Sequence, residues 1–137
     1  MAQQTRFDPG PPGVDFGLLA GPVHVPSLTG TERDRALGQL RDWVATLIRR
    51  FSIDVRVIPP CWEQHNGMVE ALAALRDHER ASYADTASPA AAVDWFRAFR
   101  EIEARLVDIA ALTQCTAHQH RQPPSTRFET SPRPTPQ

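Results

Sequence analysis

Two cysteines and three histidines are the residues of this chain best suited to bind a metal ion. Cys61 and His65 stand four positions apart, and Cys115, His118 and His120 follow together near the end of the chain. Side chains three or four residues apart can bind one ion, and zinc takes four such nitrogen and sulfur ligands in a tetrahedron. A closed Cys2His2 site is therefore geometrically feasible, with His118 and His120 as alternatives for one ligand.

Several features of the pattern nevertheless argue against a metal. The order Cys-x3-His followed by Cys-x2-His matches no standard zinc-finger spacing. A closed site would also require the residues after Leu112 to fold back against the turn at Pro60, and a buried cysteine packs readily as a small apolar side chain. The sequence alone therefore predicts no metal and no other cofactor. The residues that would hold zinc if that prediction failed are Cys61, His65, Cys115, His118 and His120.

No pattern in the sequence is typical of an active site. Glu63 and His65 place a carboxylate near an imidazole, but no glycine-framed nucleophile accompanies them. The glycine-rich phosphate loops and the His-Glu-x-x-His motif of metalloproteases are also missing. The run from Asp77 to Arg80 has the composition of a solvated helix face. The prediction is that the protein is not an enzyme, has no catalytic residues and has no small-molecule substrate.

Charge and hydropathy limit the partners further. The chain has 137 residues, the size of one domain, and a net charge of −1, so no overall field attracts nucleic acid or an anionic membrane. No apolar run approaches the roughly 18 residues of a membrane span. The first residues lack the basic start and apolar block of a signal peptide, which predicts a cytoplasmic protein with reduced cysteines.

Three segments with helical periodicity must position the cysteines and histidines. They are predicted at about residues 32–51, 67–83 and 89–112. The third is the most strongly patterned, with Ser88 as its expected N-cap, and we expect it to be the structural centre. Its predicted buried face consists of Trp95, Phe99, Ile102, Leu106 and Ile109.

The remaining segments connect or flank these helices. Residues 52–58 alternate between apolar and polar, which predicts an extended connector that stops at Pro59 and Pro60. Residues 1–28 are rich in Pro and Gly and are predicted to be a disordered or extended arm, while residues 122–137 form a disordered Pro/Ser/Thr-rich tail. The predicted fold is a small all-α bundle of three helices, with one domain over residues 29–121.

The segment from about residue 40 to residue 121 resembles an uncharacterised family of small actinobacterial proteins found on plasmids, integrative elements and phages. The resemblance rests on a Trp-Val pair, a Trp-containing turn that ends in His before a Leu-rich helix, paired aromatics and a terminal Cys/His-Arg element. The residues that carry it are Trp43, Val44, Pro60, Trp62, His65, Val69, Leu72, Ala74, Leu75, Trp95, Phe96, Cys115, His120 and Arg121. It implies a mobile genetic element and no known activity.

Two functional hypotheses remain open at this point. The first is a non-enzymatic adaptor or accessory protein that binds another protein or a second copy of itself, because three short helices give a small core that a partner would enlarge. The alternative is a DNA-associated regulator that contacts phosphate through the Arg-bearing first helix. The arginines concerned are Arg33, Arg35, Arg41, Arg49, Arg50 and Arg56.

Overall fold

Three α-helices build the protein. The computed structural model describes residues 21–116 and 119–121, and its helices are α1 (Gly30–Phe51), α2 (Asn66–Ser82) and α3 (Ala91–Thr113). Short 3-10 turns at Val25–Ser27 and Trp62–Gln64 precede α1 and α2. Within the described residues there is no β-strand. The prediction of a small all-α bundle with three principal helices is confirmed.

The start of α3 differs by two residues from its predicted position. Ser88 does act as a cap, but of a turn that precedes the helix. Its hydroxyl accepts a hydrogen bond from the Ala90 N–H at 3.2 Å, and its carbonyl accepts one from the Ala91 N–H at 2.9 Å. The regular helix begins only at Ala91, one turn of chain after the predicted capping residue.

Helix α2 is the centre of the bundle, and α3 is not, contrary to expectation. Both other helices and both 3-10 turns pack against α2. Its buried residues cover most of its circumference at its N-terminal half, because neighbours lie on several sides. They are Met68, Val69, Ala71, Leu72, Ala73 and Leu75.

The predicted buried face of α3 is confirmed. Trp95 and Leu106 are almost fully buried, and Phe99, Ile102 and Ile109 pack against the same core while remaining partly exposed. The Trp95 indole N–H also donates a hydrogen bond of 3.1 Å to the Leu75 carbonyl, which joins α3 to α2. Apolar burial and this polar contact fix the rotation of α3 about its own axis.

An aromatic cluster, consisting of Phe51, Trp95, Phe96 and Phe99, closes the end of the bundle where α1 and α2 finish and α3 begins. The ring centroids of Phe51 and Phe99 are 4.9 Å apart, and those of Trp95 and Phe99 are 5.4 Å apart. Tilted and edge-on arrangements at these distances are the favourable ones for aromatic pairs. The Arg50 guanidinium lies 5.0 Å from the Phe51 ring centroid and covers the cluster from outside.

The charged second half of α2 is not a freely solvated face, which corrects the expectation from its composition. Glu79 accepts a hydrogen bond from the Trp43 indole N–H at 3.1 Å and forms an ion pair with Arg50, also at 3.1 Å. Asp77 accepts a hydrogen bond from the Val23 backbone N–H at 3.1 Å. These carboxylates hold α1 and the N-terminal segment on α2. Composition misled because charge in a sequence does not show which acidic side chains meet donors from other elements.

The connector at residues 52–58 was predicted to be extended, but much of it is a turn. The Asp54 carbonyl accepts hydrogen bonds from the N–H groups of Val57 and Ile58, at 2.9 and 3.1 Å. The Asp54 carboxylate also accepts one from the Arg56 N–H at 2.8 Å, which is the Asx-turn geometry that aspartate favours. The apolar alternation therefore reflects a turn whose Ile58 is buried, and no strand is formed.

The described part of the N-terminal arm packs on the bundle. Val25 is only 3 % exposed and lies against α1 and α2, and the His24 side chain contacts Glu70 of α2. The described part of the arm, which was predicted to be disordered or extended, therefore packs on the bundle. The predictions for residues 1–20 and for the tail at 122–137 lie outside the described residues.

None of the helices in the described part of the chain combines the length and apolar content that crossing a membrane requires.

Candidate metal centre

A tight turn before α2 brings Cys61 and His65 to the same side of the backbone. The Gln64 N–H donates to the Cys61 carbonyl at 2.9 Å, and the His65 N–H donates to the Trp62 carbonyl at 3.1 Å. Trp62 is buried and anchors the turn in the core. As a result the Cys61 Sγ lies 3.6 Å from the His65 Nε2.

The end of α3 brings Cys115 to the same place. Gln114 adopts the left-handed conformation with φ of 55°, and its N–H donates to the Ala110 carbonyl at 2.8 Å, so the helix ends there and the chain reverses. This conformation is uncommon for a residue other than glycine or asparagine. Cys115 follows directly, and its Sγ lies 3.4 Å from the His65 Nε2.

A short loop after Cys115 supplies the fourth side chain. Thr116 and Gln119 close this loop, since the Thr116 N–H donates to the Gln119 carbonyl at 2.9 Å and the Gln119 N–H donates to the Thr116 hydroxyl at 3.0 Å. The His120 Nδ1 then lies 3.7 Å from the Cys115 Sγ. The backbone N–H of Arg121 donates to the same sulfur at 3.1 Å. The chain after Leu112 thus folds back to the turn near Pro60, as a closed site would require.

Three sulfur–nitrogen distances within this Cys/His cluster (Cys61, His65, Cys115 and His120) match those of a tetrahedral zinc site. One nitrogen or sulfur atom from each residue lies within 4.8 Å of all the others. With zinc bonds of about 2.3 Å to sulfur and about 2.0–2.1 Å to nitrogen, tetrahedral angles separate a sulfur from a nitrogen ligand by about 3.5 Å. Three of the four S–N separations in the structure are 3.4, 3.6 and 3.7 Å, and the fourth is within 4.8 Å. Only a small contraction of the cluster is needed to place one ion at its centre.

Burial shapes the protonation of the cluster. His65 is 5 % exposed, and burial, together with the nearby His120, lowers its pKa. Burial also raises the pKa of the Cys61 thiol to about 11. At Cys115 burial acts in the same direction, but hydrogen bonds from Thr113 and from the Arg121 backbone outweigh it and lower the pKa. Of the two sulfurs, Cys115 is thus the one in surroundings that favour a thiolate.

Two features outside the cluster help to position its two halves. Arg41 of α1 forms a forked ion pair with Glu63 in the turn, with N–O distances of 2.6 and 3.0 Å, which ties the turn to α1. At the start of α2, a Cβ on Gly67 would lie 3.2 Å from the Ile109 Cδ1 of α3. Glycine at position 67 therefore lets α2 begin close against the end of α3, where Cys115 emerges.

The structure brings together four of the five residues considered as ligands on sequence grounds. His118, the fifth, lies outside the described residues. The sequence indicated the residue types and that antiparallel helices would bring the two groups near each other. It gave no signal for the reversal at Gln114 or for the bracing role of Glu63.

Half of the arginines proposed for DNA contact form ion pairs within the protein. Three of the six are paired with carboxylates: Arg41 with Glu63, Arg50 with Glu79, and Arg56 with Asp54. Their charge is already partly neutralised within the protein, so the six do not form a free basic surface.

No family model, curated protein or solved structure matches this chain. The family resemblance drawn from the sequence motifs therefore stays a prediction.

The four side chains of the Cys/His cluster would supply all four ligands of a tetrahedral zinc ion. Structural zinc sites use four protein ligands, whereas catalytic sites keep one position for water or substrate. Two sulfurs and two imidazole nitrogens would fill the tetrahedron and leave no position open. The chemistry that this arrangement supports is the joining of two chain segments.

Proposed function

We propose that this protein is a small, non-enzymatic helical interaction protein whose fold is closed by one structural zinc ion. The observation that carries the proposal is the convergence of Cys61, His65, Cys115 and His120 within 4.8 Å. The sequence prediction was that no metal binds, and the close fit of the distances to tetrahedral geometry is the reason for departing from it.

Zinc is the metal that this ligand set favours. Tetrahedral sites with two sulfur and two nitrogen ligands are typical of zinc, whereas magnesium and calcium take oxygen ligands. The described residues contribute no carboxylate to this group of ligand atoms. The Arg121 N–H at 3.1 Å from the Cys115 sulfur is an outer contact of the kind that orients and stabilises a metal-bound thiolate.

Two further observations favour an interaction protein over an enzyme. A filled coordination sphere leaves the metal unable to bind and activate a substrate. The apolar cavity beside Leu47, Ile58 and Phe99 has a volume of only about 10 Å³, far below the few hundred Å³ of a small-molecule site. The larger hollow, of about 630 Å³, is lined by residues of α3 alone, so it is an open helix surface and not a pocket formed between elements. The DNA-binding alternative is not favoured, because half of its arginines are already paired.

Elemental analysis of the protein, purified without a histidine tag under reducing conditions, tests this proposal. We expect about one zinc per chain, and we expect Cys115→Ser and His65→Gln to lose it. His78→Gln is the matched control, because His78 is exposed and its side chain hydrogen-bonds only Ser82 among the described residues. Wild-type protein that contains no zinc and takes up none on reconstitution would refute the metal centre.

Cobalt substitution gives an independent check of the geometry. Replacing zinc with Co²⁺ should produce the intense visible absorption of a tetrahedral ion, with a thiolate-to-metal band in the near ultraviolet. Loss of the band in Cys61→Ser, with retention in His78→Gln, would place the metal at the Cys/His cluster. A weak, octahedral-type spectrum in the wild type would contradict a closed four-ligand site.

A further inference from the structure

Helix α3 carries a second apolar stripe that the described elements cover only in part. Val93, Phe96 and Val107 are 54 %, 49 % and 44 % exposed. At about 100° per residue they lie on one side of the helix, next to the face that packs on α2. Isolated exposed apolar residues are ordinary, but three aligned on one helix form a face that suits a partner.

Two opposite charges lie within this α3 stripe. Arg100 and Glu103 stand between Phe96 and Val107 in the sequence and point to the same side of the helix. Both are exposed, and neither forms an ion pair with any residue that the structure describes. One pair of neighbouring exposed charges on α3 does form an ion pair, Arg97 with Asp94 at 3.1 Å.

The positions of these four residues are symmetric. The point midway between Arg100 and Glu103 is also midway between Phe96 and Val107. A second α3 stripe lying antiparallel about a twofold axis through that point would therefore place each Arg100 opposite a Glu103 and each Phe96 opposite a Val107. One arrangement satisfies the charges and the apolar residues together, which is the self-complementarity that a twofold interface requires.

We propose that a second copy of this chain docks antiparallel on the α3 stripe. The interface pairs Phe96 with Val107 and Arg100 with Glu103 across the twofold axis. It covers apolar surface that the monomer leaves in water, and a small domain gains most from such additional burial. None of these residues belongs to the Cys/His cluster, so the inference stands independently of the metal and identifies one partner of the proposed interaction protein.

Sedimentation of the full-length protein with charge-reversed variants tests the pairing. The wild type should dimerise in a concentration-dependent way at micromolar concentrations. Arg100→Glu or Glu103→Arg alone places like charges opposite each other, and each should weaken association by about tenfold or more. The double variant restores opposite charges and should return the dimer to near wild-type affinity.

Arg105→Glu is the matched control, because Arg105 is exposed on the opposite side of α3. It should leave association unchanged, and circular dichroism should show that all variants keep the helical fold. A wild type that stays monomeric to the highest concentration would overturn the proposal. So would a dimer that ignores both single reversals, or one that the double variant fails to restore, since either result excludes this face or this register.

Discussion

The two ends of the α2–α3 pair are held together by different means. At one end the aromatic cluster joins the start of α3 to the end of α1 through contacts among large apolar rings, and the Trp95 indole N–H joins it to the Leu75 carbonyl of α2. At the other end the Cys/His cluster joins the start of α2 to the chain that follows α3, through polar atoms from a turn and a loop. The aromatic end is held mainly by apolar packing, whereas the Cys/His end offers side chains that one ion would join.

The difference shows that a small domain can be stabilised in different ways within its helices and at the helix ends. The aromatic residues lie within regular helices, so folding of the helices orients them. The Cys/His residues lie at helix ends, where backbone hydrogen bonding frays first. A structural metal is most useful at such a place, because its binding free energy adds directly to the free energy of folding.

The largest expected loss of stability comes from a substitution at the aromatic end. Trp95→Ala removes a fully buried indole and its hydrogen bond to the Leu75 carbonyl, and should lower the free energy of unfolding by about 3–5 kcal/mol. Chemical denaturation measures the change. Tyr83→Ala is the aromatic control, because Tyr83 is 59 % exposed, and it should cost less than about 0.5 kcal/mol. Equal losses from the two variants would mean that the aromatic end does not carry the core.

Metal removal is expected to act next most strongly and only at the other end. At a free zinc concentration a hundred times its Kd, binding should stabilise the fold by about 2.7 kcal/mol. For a domain of this size a chelator should then lower the Tm by about 10–20 °C. Hydrogen exchange should rise at residues 61–67 and 113–121 before it rises near Trp95. A chelator effect of the same size in Cys115→Ser would contradict the assignment.

A smaller effect is expected from the carboxylate that joins α1 to α2. Glu79→Ala removes the hydrogen bond from Trp43 and the ion pair with Arg50, and should cost about 1–2 kcal/mol, since the acceptor is charged and mostly buried. Trp43→Phe separates the two contributions, because it removes only the indole donor. A loss below about 0.5 kcal/mol for Glu79→Ala would mean that the charged half of α2 is a solvated face after all.

The smallest effect is expected where α1 meets the turn that carries Cys61 and His65. The Arg41–Glu63 pair is largely exposed on the arginine side, so Arg41→Ala should cost less than about 1 kcal/mol. Zinc content should stay at about one per chain, because Arg41 braces the turn without contributing a ligand. Loss of zinc in this variant would show that the turn cannot hold Cys61 and His65 in place by itself.

The regular part of the fold was predictable from the sequence. Apolar residues at helical spacing located all three helices to within two or three residues, and in α3 they identified Trp95 and Leu106 as buried. Periodicity is informative there because one side of a helix meets the core along its whole length. It did not show that α2 is the central helix, since the number of neighbours around a helix depends on tertiary packing.

The irregular parts were harder to predict. The alternation in residues 52–58 suggested an extended connector, but the hydrogen bonds that Asp54 accepts produce a turn. At the candidate site the sequence supplied the residue types, and the unusual Cys and His spacing argued against a metal. Their proximity depends on the left-handed reversal at Gln114, a conformation that glutamine seldom adopts. It also depends on the close approach of Gly67 to Ile109, a contact between distant segments that no local pattern encodes.

The reversal at Gln114 also limits how the length of this protein can change. Each helical residue advances the chain by 1.5 Å and rotates it by about 100°. One residue inserted between Trp95 and Gln114 would therefore turn Cys115 away from His65 while Trp95 remained anchored on α2. We expect insertions and deletions to be tolerated in the loops between helices, at residues 52–57 and 83–90, and to be selected against within α3.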